Sequence, residues 1–261
     1  MVTGRRWSED EIRQVLVLYL RTPFGRLHSS NQDIQALAAR LGRTPGAVAL
    51  KACNLAALDD SLPRKGMGNA SKLDRKVWED FLAQPASLLP IYERSAATTE
   101  PAHQPSGLAD TDARRISPPA DTTGEERPAQ VMRRLGQDFF RRMILTSYEQ
   151  RCALTGLDDP RLLIASHIVG WKEDASIRLH PANGICLNAL HDKAFDRRLI
   201  TFDENYRLVV AEDIPPQTRK KLQDMSARRL RMPARFLPSQ DFLEHHRKCF
   251  HDRQTGSHFS F

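Results

Sequence analysis

The sequence predicts an α+β protein with a small helical domain at its N-terminus, a flexible linker and a mixed domain at its C-terminus. Three observations predict this class. Residues 1–94 alternate helix-capping residues with apolar runs of helical period, residues 95–128 are rich in Pro, Ala, Thr and Ser, and residues 129–261 hold β-rich runs between helices. A chain of 261 residues is long enough for two domains of ordinary size.

The N-terminal block, residues 1–94, shows clear helix start signals. Each predicted helix follows a residue whose side chain can accept hydrogen bonds from unpaired backbone N–H groups: Ser8, Asn31, Thr44 and Ser71. Apolar residues then recur at helical spacing, and Gly42 provides a stop after the second run. The pattern predicts helices over 12–20, 31–41, 45–56 and 73–81.

The second and third helices are joined by Leu41-Gly42-Arg43-Thr44, and Trp7 precedes the first helix. This arrangement resembles a helix-turn-helix of the Myb/SANT type, a three-helix DNA-binding fold. The resemblance implies that the third helix presents its exposed face to DNA, with Lys51 and Asn54 as the expected contacts. The alternative is a helical module for protein contacts or dimerisation.

The connector, residues 95–128, holds three basic against six acidic side chains and few large apolar ones. Such a segment buries too little surface to offset the entropy of ordering, so we expect a flexible linker. The blocks on either side are basic, and the whole chain has a net charge of +7 and a pI of about 9.5. This balance favours an anionic partner such as DNA.

The polar N-terminus and the lack of a long apolar run predict a protein without an export signal or a membrane span. The cysteines are Cys53, Cys152, Cys186 and Cys249. None forms a CxxC pair, which argues against a zinc knuckle and favours the reducing cytoplasm. Cys152 and Cys186 are expected to be small buried residues.

The C-terminal block, residues 129–261, predicts two strands followed by a helix. A helix over 131–148 leads to a short strand and turn at 152–156. A β-rich run over 162–168 ends in His167, and Asn183-Gly184 is a tight-turn dipeptide before a return strand over 185–187. The remaining predicted elements are a short helix over 188–195, a hairpin over 199–210 and helices over 216–231 and 241–250.

Residues 131–210, about a third of the chain, resemble HNH endonucleases of the restriction-associated type. His167, Asn183 and His191 follow each other in the order and at the spacing of that motif. The flanking sequences also match, and they are Gln137-Asp138-Phe139-Phe140-Arg141, Cys152 to Gly156, Ala165-Ser166-His167-Ile168, Pro181-Ala182-Asn183-Gly184 and His191 to Asp196. The resemblance implies a ββα-metal fold at the predicted strand-strand-helix segment.

The resemblance also implies the roles in catalysis. His167 would be the general base that takes a proton from the attacking water, which suits an imidazole with a pKa near ~6.5. Asn183 would fix the loop and orient the base, and His191 would bind a divalent cation, Mg²⁺ or Mn²⁺, beside the scissile phosphate. The products would carry 5′-phosphate and 3′-hydroxyl ends.

The residue before the base departs from the family pattern. That position often holds an Asp or His that binds the metal, whereas this chain has Ser166. Either Ser166 completes a loose site with His191, water and DNA oxygens, or a nearby acid such as Asp196 or Asp192 contributes. Asp196 also has a structural alternative, since it could cap its helix or pair with a neighbouring Arg.

Six basic residues follow the motif, and we expect them to contact the DNA backbone. They are Arg219, Lys220, Lys221, Arg228, Arg229 and Arg231, on one predicted helix over 216–231. The alternative is a solvated helix face, which is the common meaning of a charge run.

The sequence therefore predicts a metal-dependent DNA endonuclease that acts in restriction or defence against foreign DNA. The alternative function is a DNA-binding regulator that retains the HNH fold without catalysis, a hypothesis suggested by Ser166. A third hypothesis makes the N-terminal block a protein-interaction module. Because one HNH site cuts one strand, a double-strand break would suggest a homodimer.

Overall fold

The computed structural model describes residues 5–59, 68–96 and 126–256. The helices are α1 (Glu9–Arg21), α2 (Gln32–Leu41), α3 (Pro45–Ala56), α4 (Lys72–Ala83), α5 (Leu89–Ala96), α6 (Glu126–Ser147), α7 (Ala189–Asp196), α8 (Pro216–Asp224) and α9 (Gln240–Thr255). The strands are β1 (Leu163–His167), β2 (Gly184–Asn188), β3 (Ile200–Phe202) and β4 (Leu208–Val210). The predicted α+β class is confirmed. No helix in these ranges combines the length and apolarity needed to cross a membrane.

The helix starts of the N-terminal block lie where the sequence predicts them. Ser8 and Glu11 form a reciprocal capping box at the start of α1, and Ser71 and Asp74 form another at α4. Asn31 caps α2, and Gly42 ends it with a positive φ of 63°, a conformation that glycine adopts without strain. Local hydrogen-bonding chemistry therefore fixes these boundaries.

The strands of the C-terminal block form two antiparallel pairs, β1 with β2 and β3 with β4. β2 continues directly into α7, which gives the predicted strand-strand-helix order. α6 packs across the first pair, and Arg141 on α6 donates to the carbonyl oxygens of Pro160 and Leu163 at 2.8 and 2.6 Å. Gly184 permits this packing, because a Cβ there would lie 2.5 Å from the Ile144 side chain.

The described parts of the two blocks share one hydrophobic core. Phe236 stacks on Trp78 with ring centroids 5.7 Å apart, and its backbone N–H donates to Asp59 Oδ2 at 2.9 Å. Arg235 is 1% exposed and donates to the backbone carbonyls of Tyr19 and Thr22. The segment after α8 thus joins the C-terminal block directly to α1 and α4.

Most of the predicted connector lies outside the described residues. Its first two residues, Ser95 and Ala96, close α5, and α6 begins at Glu126, five residues before the predicted helix start.

Three local predictions in the C-terminal block are wrong. Residues 152–156 form a turn without a strand, because the Gly156 N–H bonds back to the Cys152 carbonyl at 2.9 Å. Asn183 and Gly184 are not a turn dipeptide, since Asn183 ends a 3₁₀ helix over Pro181–Asn183 and Gly184 has an extended φ of −139°. α8 stops at Asp224 instead of reaching residue 231, because the next residues bond to other elements.

Cys152 and Cys186 are fully buried, as expected from the sequence. Burial beside Cys152 raises the pKa of the Cys186 thiol to about 12. A thiol held neutral in this way is a packing residue and not a nucleophile.

Candidate functional site

His167 is the last residue of β1 and lies opposite Gly184 of β2. Its ring stacks on Phe140 of α6 with centroids 4.0 Å apart, and Trp171 contacts it edge-on at 5.4 Å. Its Nε2 lies 2.9 Å from the carbonyl oxygen of Arg178. A carbonyl oxygen only accepts, so Nε2 carries the hydrogen, and the lone pair of the neutral ring lies at Nδ1. The ring is thereby set in the tautomer that accepts a proton at Nδ1.

Asn183 is fully buried and holds both ends of the loop that follows β1. Its Oδ1 accepts from Val169 N–H at 2.9 Å, and its Nδ2 donates to the carbonyls of Val169 and Ile177, each at 3.2 Å. Ile177 is next to Arg178, whose carbonyl holds His167. Asn183 therefore acts on His167 through the loop backbone, and its amide does not bond to the imidazole itself.

His191 lies in the first turns of α7 and is fully buried. Asn188 Oδ1 lies 3.0 Å from Nδ1, and Ser226 Oγ lies 2.7 Å from Nε2. Because Asn188 Oδ1 also accepts the His191 backbone N–H, it is an acceptor and Nδ1 is the donor. Burial keeps the pKa of His191 below its ordinary value, which favours the neutral ring.

Of the three residues expected to bind a metal, Asp196 lies apart from His191 on α7. Ser166 is 2% exposed, and its Oγ has no hydrogen-bond partner among the described residues. Asp196 is exposed at the last position of α7, five residues after His191, so helical geometry places it on another face and about 7.5 Å along the axis.

The donor chemistry does not fit a divalent cation either. The Nε2 of His191 already contacts Ser226 Oγ, and Ser166 supplies only a neutral hydroxyl. Within residues 5–59, 68–96 and 126–256, no group of three or more His, Cys, Asp or Glu side chains could hold a metal ion. Mg²⁺ and Mn²⁺ prefer carboxylate oxygens, which this arrangement lacks.

The basic residues after the motif divide between α8 and an irregular stretch that we call the basic segment, residues 226–231. This segment runs between the 152–156 turn and β4, with Ala227 N–H bonded to Leu154 O at 2.7 Å and Leu208 N–H bonded to Arg228 O at 3.0 Å. Exposed side chains are those of Lys220, Lys221, Arg228, Arg229 and Arg231. Arg219 is half-buried and donates to Glu212 O at 2.6 Å, and Arg231 pairs with Glu149 at 2.6 Å.

The expectation that Lys51 and Asn54 are exposed is wrong. Each is 7% exposed, and Lys51 Nζ lies 2.9 Å from both carboxylate oxygens of the fully buried Asp74. The fourth helix, α4, covers the face of α3 that was expected to meet DNA. The residues of α3 that do reach solvent are Gly46 and Leu50, which offer no hydrogen-bonding side chain for base edges.

Sequence reasoning missed Ser226 and the Arg178 carbonyl. Ser226 lies 35 residues from His191 and outside any local motif, so no pattern in the sequence indicates their contact. The role of Arg178 belongs to its backbone and does not depend on side-chain type.

Residues 152–203 match the family model described as HNH endonuclease. The matched range contains β1, β2, α7 and all of His167, Asn183 and His191. No curated protein matches the chain. The match covers about a fifth of the sequence, and together with the strand-strand-helix geometry it supports the HNH endonuclease family for this segment.

Proposed function

We propose that the protein is a DNA endonuclease that hydrolyses phosphodiester bonds, with His167 as general base. The observation that carries this proposal is the hydrogen bond from His167 Nε2 to Arg178 O at 2.9 Å, within the segment that matches the HNH model. A base must present its lone pair to water in a fixed direction, and this bond assigns the lone pair to Nδ1. The proposed products carry 5′-phosphate and 3′-hydroxyl ends.

Asn183 supports the base by fixing the loop that carries Arg178. Phe140 and Trp171 restrict rotation of the His167 ring by contacts on its face and edge. Ordered groups of this kind hold a proton acceptor in place before the substrate arrives, which lowers the entropy cost of the reaction.

The DNA backbone is proposed to lie along the exposed cations of α8 and the basic segment. Arg228 and Arg229 follow Ser226, which contacts His191, so these cations lie close to the matched segment. Lys220 and Lys221 extend the positive surface along α8. Contacts of this type neutralise phosphates and make binding depend steeply on salt.

A requirement for Mg²⁺ or Mn²⁺ stays a prediction from the family. Because the donors of the described residues do not form a cation site, no protein ligand is assigned to the ion. The base, the groups that orient it and the proposed phosphate contacts all belong to the protein itself, as side chains and as the Arg178 carbonyl.

The same disagreement favours a second candidate, a DNA-binding regulator that retains the HNH fold without catalysis. His191 is buried with both ring nitrogens engaged, as expected of a structural histidine. On α3 the exposed residues are Gly46 and Leu50, and their lack of polar side chains favours a protein-interaction role for the N-terminal block over direct base recognition.

Cleavage of supercoiled plasmid DNA distinguishes the two candidates. Modified and unmodified plasmids are incubated with the protein in Mg²⁺, in Mn²⁺ and in EDTA, while binding is measured on the same DNA. Nicked or linear products with ligatable 5′-phosphate ends, absent with the His167→Ala variant, support the nuclease. Different cleavage of the modified and unmodified plasmids supports its proposed role in restriction or defence. Intact DNA that is nevertheless bound in all three conditions supports the regulator.

A further inference from the structure

The loop between β1 and the Pro181–Asn183 turn carries the Arg178 carbonyl that holds His167. Asn183 fixes the loop at its base. Farther out, Arg178 Nε donates to Trp171 O at 2.5 Å, so the two sides of the loop are also joined near Trp171. The position of the Arg178 carbonyl therefore depends on the contacts that hold the outer part of the loop, near Trp171 and Glu173.

Glu173 provides such contacts through both carboxylate oxygens. Its Oε1 accepts from Gly170 N–H at 3.1 Å and from Arg198 at 3.2 Å. Its Oε2 lies 2.7 Å from Nε2 of His245, and because a carboxylate only accepts, Nε2 is the donor. One side chain thus ties the loop to the turn after α7 and to α9.

The partners of Glu173 belong to an ordered framework. Arg198 O accepts from Arg253 Nε of α9 at 2.9 Å, so the Arg198 turn is itself bonded to that helix. The Glu173 and Arg198 side chains are 29% and 17% exposed, so solvent screens their pairing less than it screens an ordinary surface ion pair.

Gly170 allows this contact because it has no side chain. A Cβ at position 170 would lie 2.6 Å from Glu173 Oε1, well inside van der Waals distance. A side chain there would displace the carboxylate from the Gly170 N–H. The close approach of loop backbone and carboxylate therefore depends on glycine at that position.

We propose that Glu173, clamped by Arg198 and His245, is a positioning residue that keeps His167 in its Nε2–H tautomer. The clamp fixes the loop tip, the Arg178 side chain transmits that position across the loop through Trp171 O, and the Arg178 carbonyl stays on His167 Nε2. Without this acceptor the imidazole also populates the Nδ1–H tautomer, which has no lone pair for water at Nδ1. The link to catalysis rests on the proposed function of His167 as base.

The test compares Glu173→Ala and Glu173→Gln with the wild type, and Glu244→Gln is the matched control. Glu244 precedes His245 on α9 and pairs with Lys248 in the exposed i,i+4 geometry, at 3.1 Å. Long-range ¹H–¹⁵N spectra of histidine-labelled protein report the tautomer, and His167 is assigned by the signal lost in His167→Ala. The spectra are recorded near pH ~8, above the ordinary histidine pKa of ~6.5.

We expect a single Nε2–H form of His167 in the wild type and in Glu244→Gln. In Glu173→Ala the Nδ1–H form appears, and kcat for plasmid cleavage falls about tenfold, or about 1.4 kcal/mol, with KM unchanged. Glu173→Gln retains oxygen and amide contacts and gives an intermediate spectrum. A His167 signal that stays entirely Nε2–H in Glu173→Ala overturns the clamp.

The spectrum requires no catalysis, so it separates this inference from the proposed function. A shifted tautomer supports the clamp even in a protein that cuts no DNA. An unshifted tautomer refutes the clamp even in an active nuclease.

Discussion

Replacing Asn183 tests the account of the loop most sharply in terms of stability. Asn183→Ala removes three hydrogen bonds of the buried amide, one from Val169 N–H and two to the carbonyls of Val169 and Ile177. Each contributes about 1 kcal/mol net, so we expect a loss of about 3 kcal/mol in the free energy of unfolding. Urea denaturation at pH 7.5 measures it.

Asn183→Asp refines the same prediction because it changes almost no volume. Its first oxygen still accepts from Val169 N–H, but the second faces two carbonyl oxygens. At neutral pH we expect Asn183→Asp to lower the free energy of unfolding more than Asn183→Ala does, because a carboxylate is then buried against two acceptors. Protonation of this carboxyl restores a donor, so the deficit relative to wild type should shrink as pH falls.

Asn205→Ala is the matched control, since Asn205 is exposed in the β3–β4 turn. We expect it to change the free energy of unfolding by less than about 0.5 kcal/mol. An Asn183→Ala protein that is as stable as Asn205→Ala would refute the view that the Asn183 amide holds the loop.

Three further predictions concern the N-terminal block, DNA binding and pH. Lys51→Met should lower the free energy of unfolding by about 3–5 kcal/mol, because the buried Asp74 carboxylate loses its cation. The salt dependence of DNA binding should not change. A shallower dependence on salt would show that Lys51 contacts DNA after all. Arg228→Ala and Arg229→Ala should each weaken binding on all DNA sequences and reduce the salt slope by about 0.9, and an unaltered slope would exclude them. Burial holds the pKa of His246 well below its ordinary value. Below pH ~6.5 the unfolded chain therefore binds a proton that the folded chain does not. The free energy of unfolding then falls by up to about 1.4 kcal/mol for each unit by which the pH is lowered. His246→Leu should flatten the dependence between pH 7.5 and 5.5 in urea denaturation, and equal slopes in both proteins would contradict this assignment.

The sequence was informative wherever structure is decided by neighbouring residues. The caps at Ser8, Asn31 and Ser71 and the stop at Gly42 each depend on side chains or glycine within four positions of the helix end. The strand-strand-helix order followed from short apolar runs and their spacing. These are local properties, and they are visible in one sequence.

The sequence was misleading where a distant element decides the environment. Lys51 is a charged residue on a short, mostly apolar helix, and only the packing of α4 shows that Asp74 neutralises it in the interior. Likewise, the charge run after the motif suggested one helix over 216–231, but backbone hydrogen bonds to Leu154 and Leu208 hold residues 226–231 in an irregular conformation. This path brings Ser226 onto His191, a contact that the motif does not encode.

Chemical rescue of a His167→Ala variant tests the central claim most directly. Removal of the ring leaves a space bounded by Phe140, Trp171 and the Arg178 carbonyl, in which free imidazole can take its place. We predict that cleavage falls about 10²–10⁴-fold, compared with no change in the exposed-residue control His251→Ala, and that added imidazole restores part of the rate. Cleavage by His167→Ala at the rate of His251→Ala would contradict the assignment of His167 as the base.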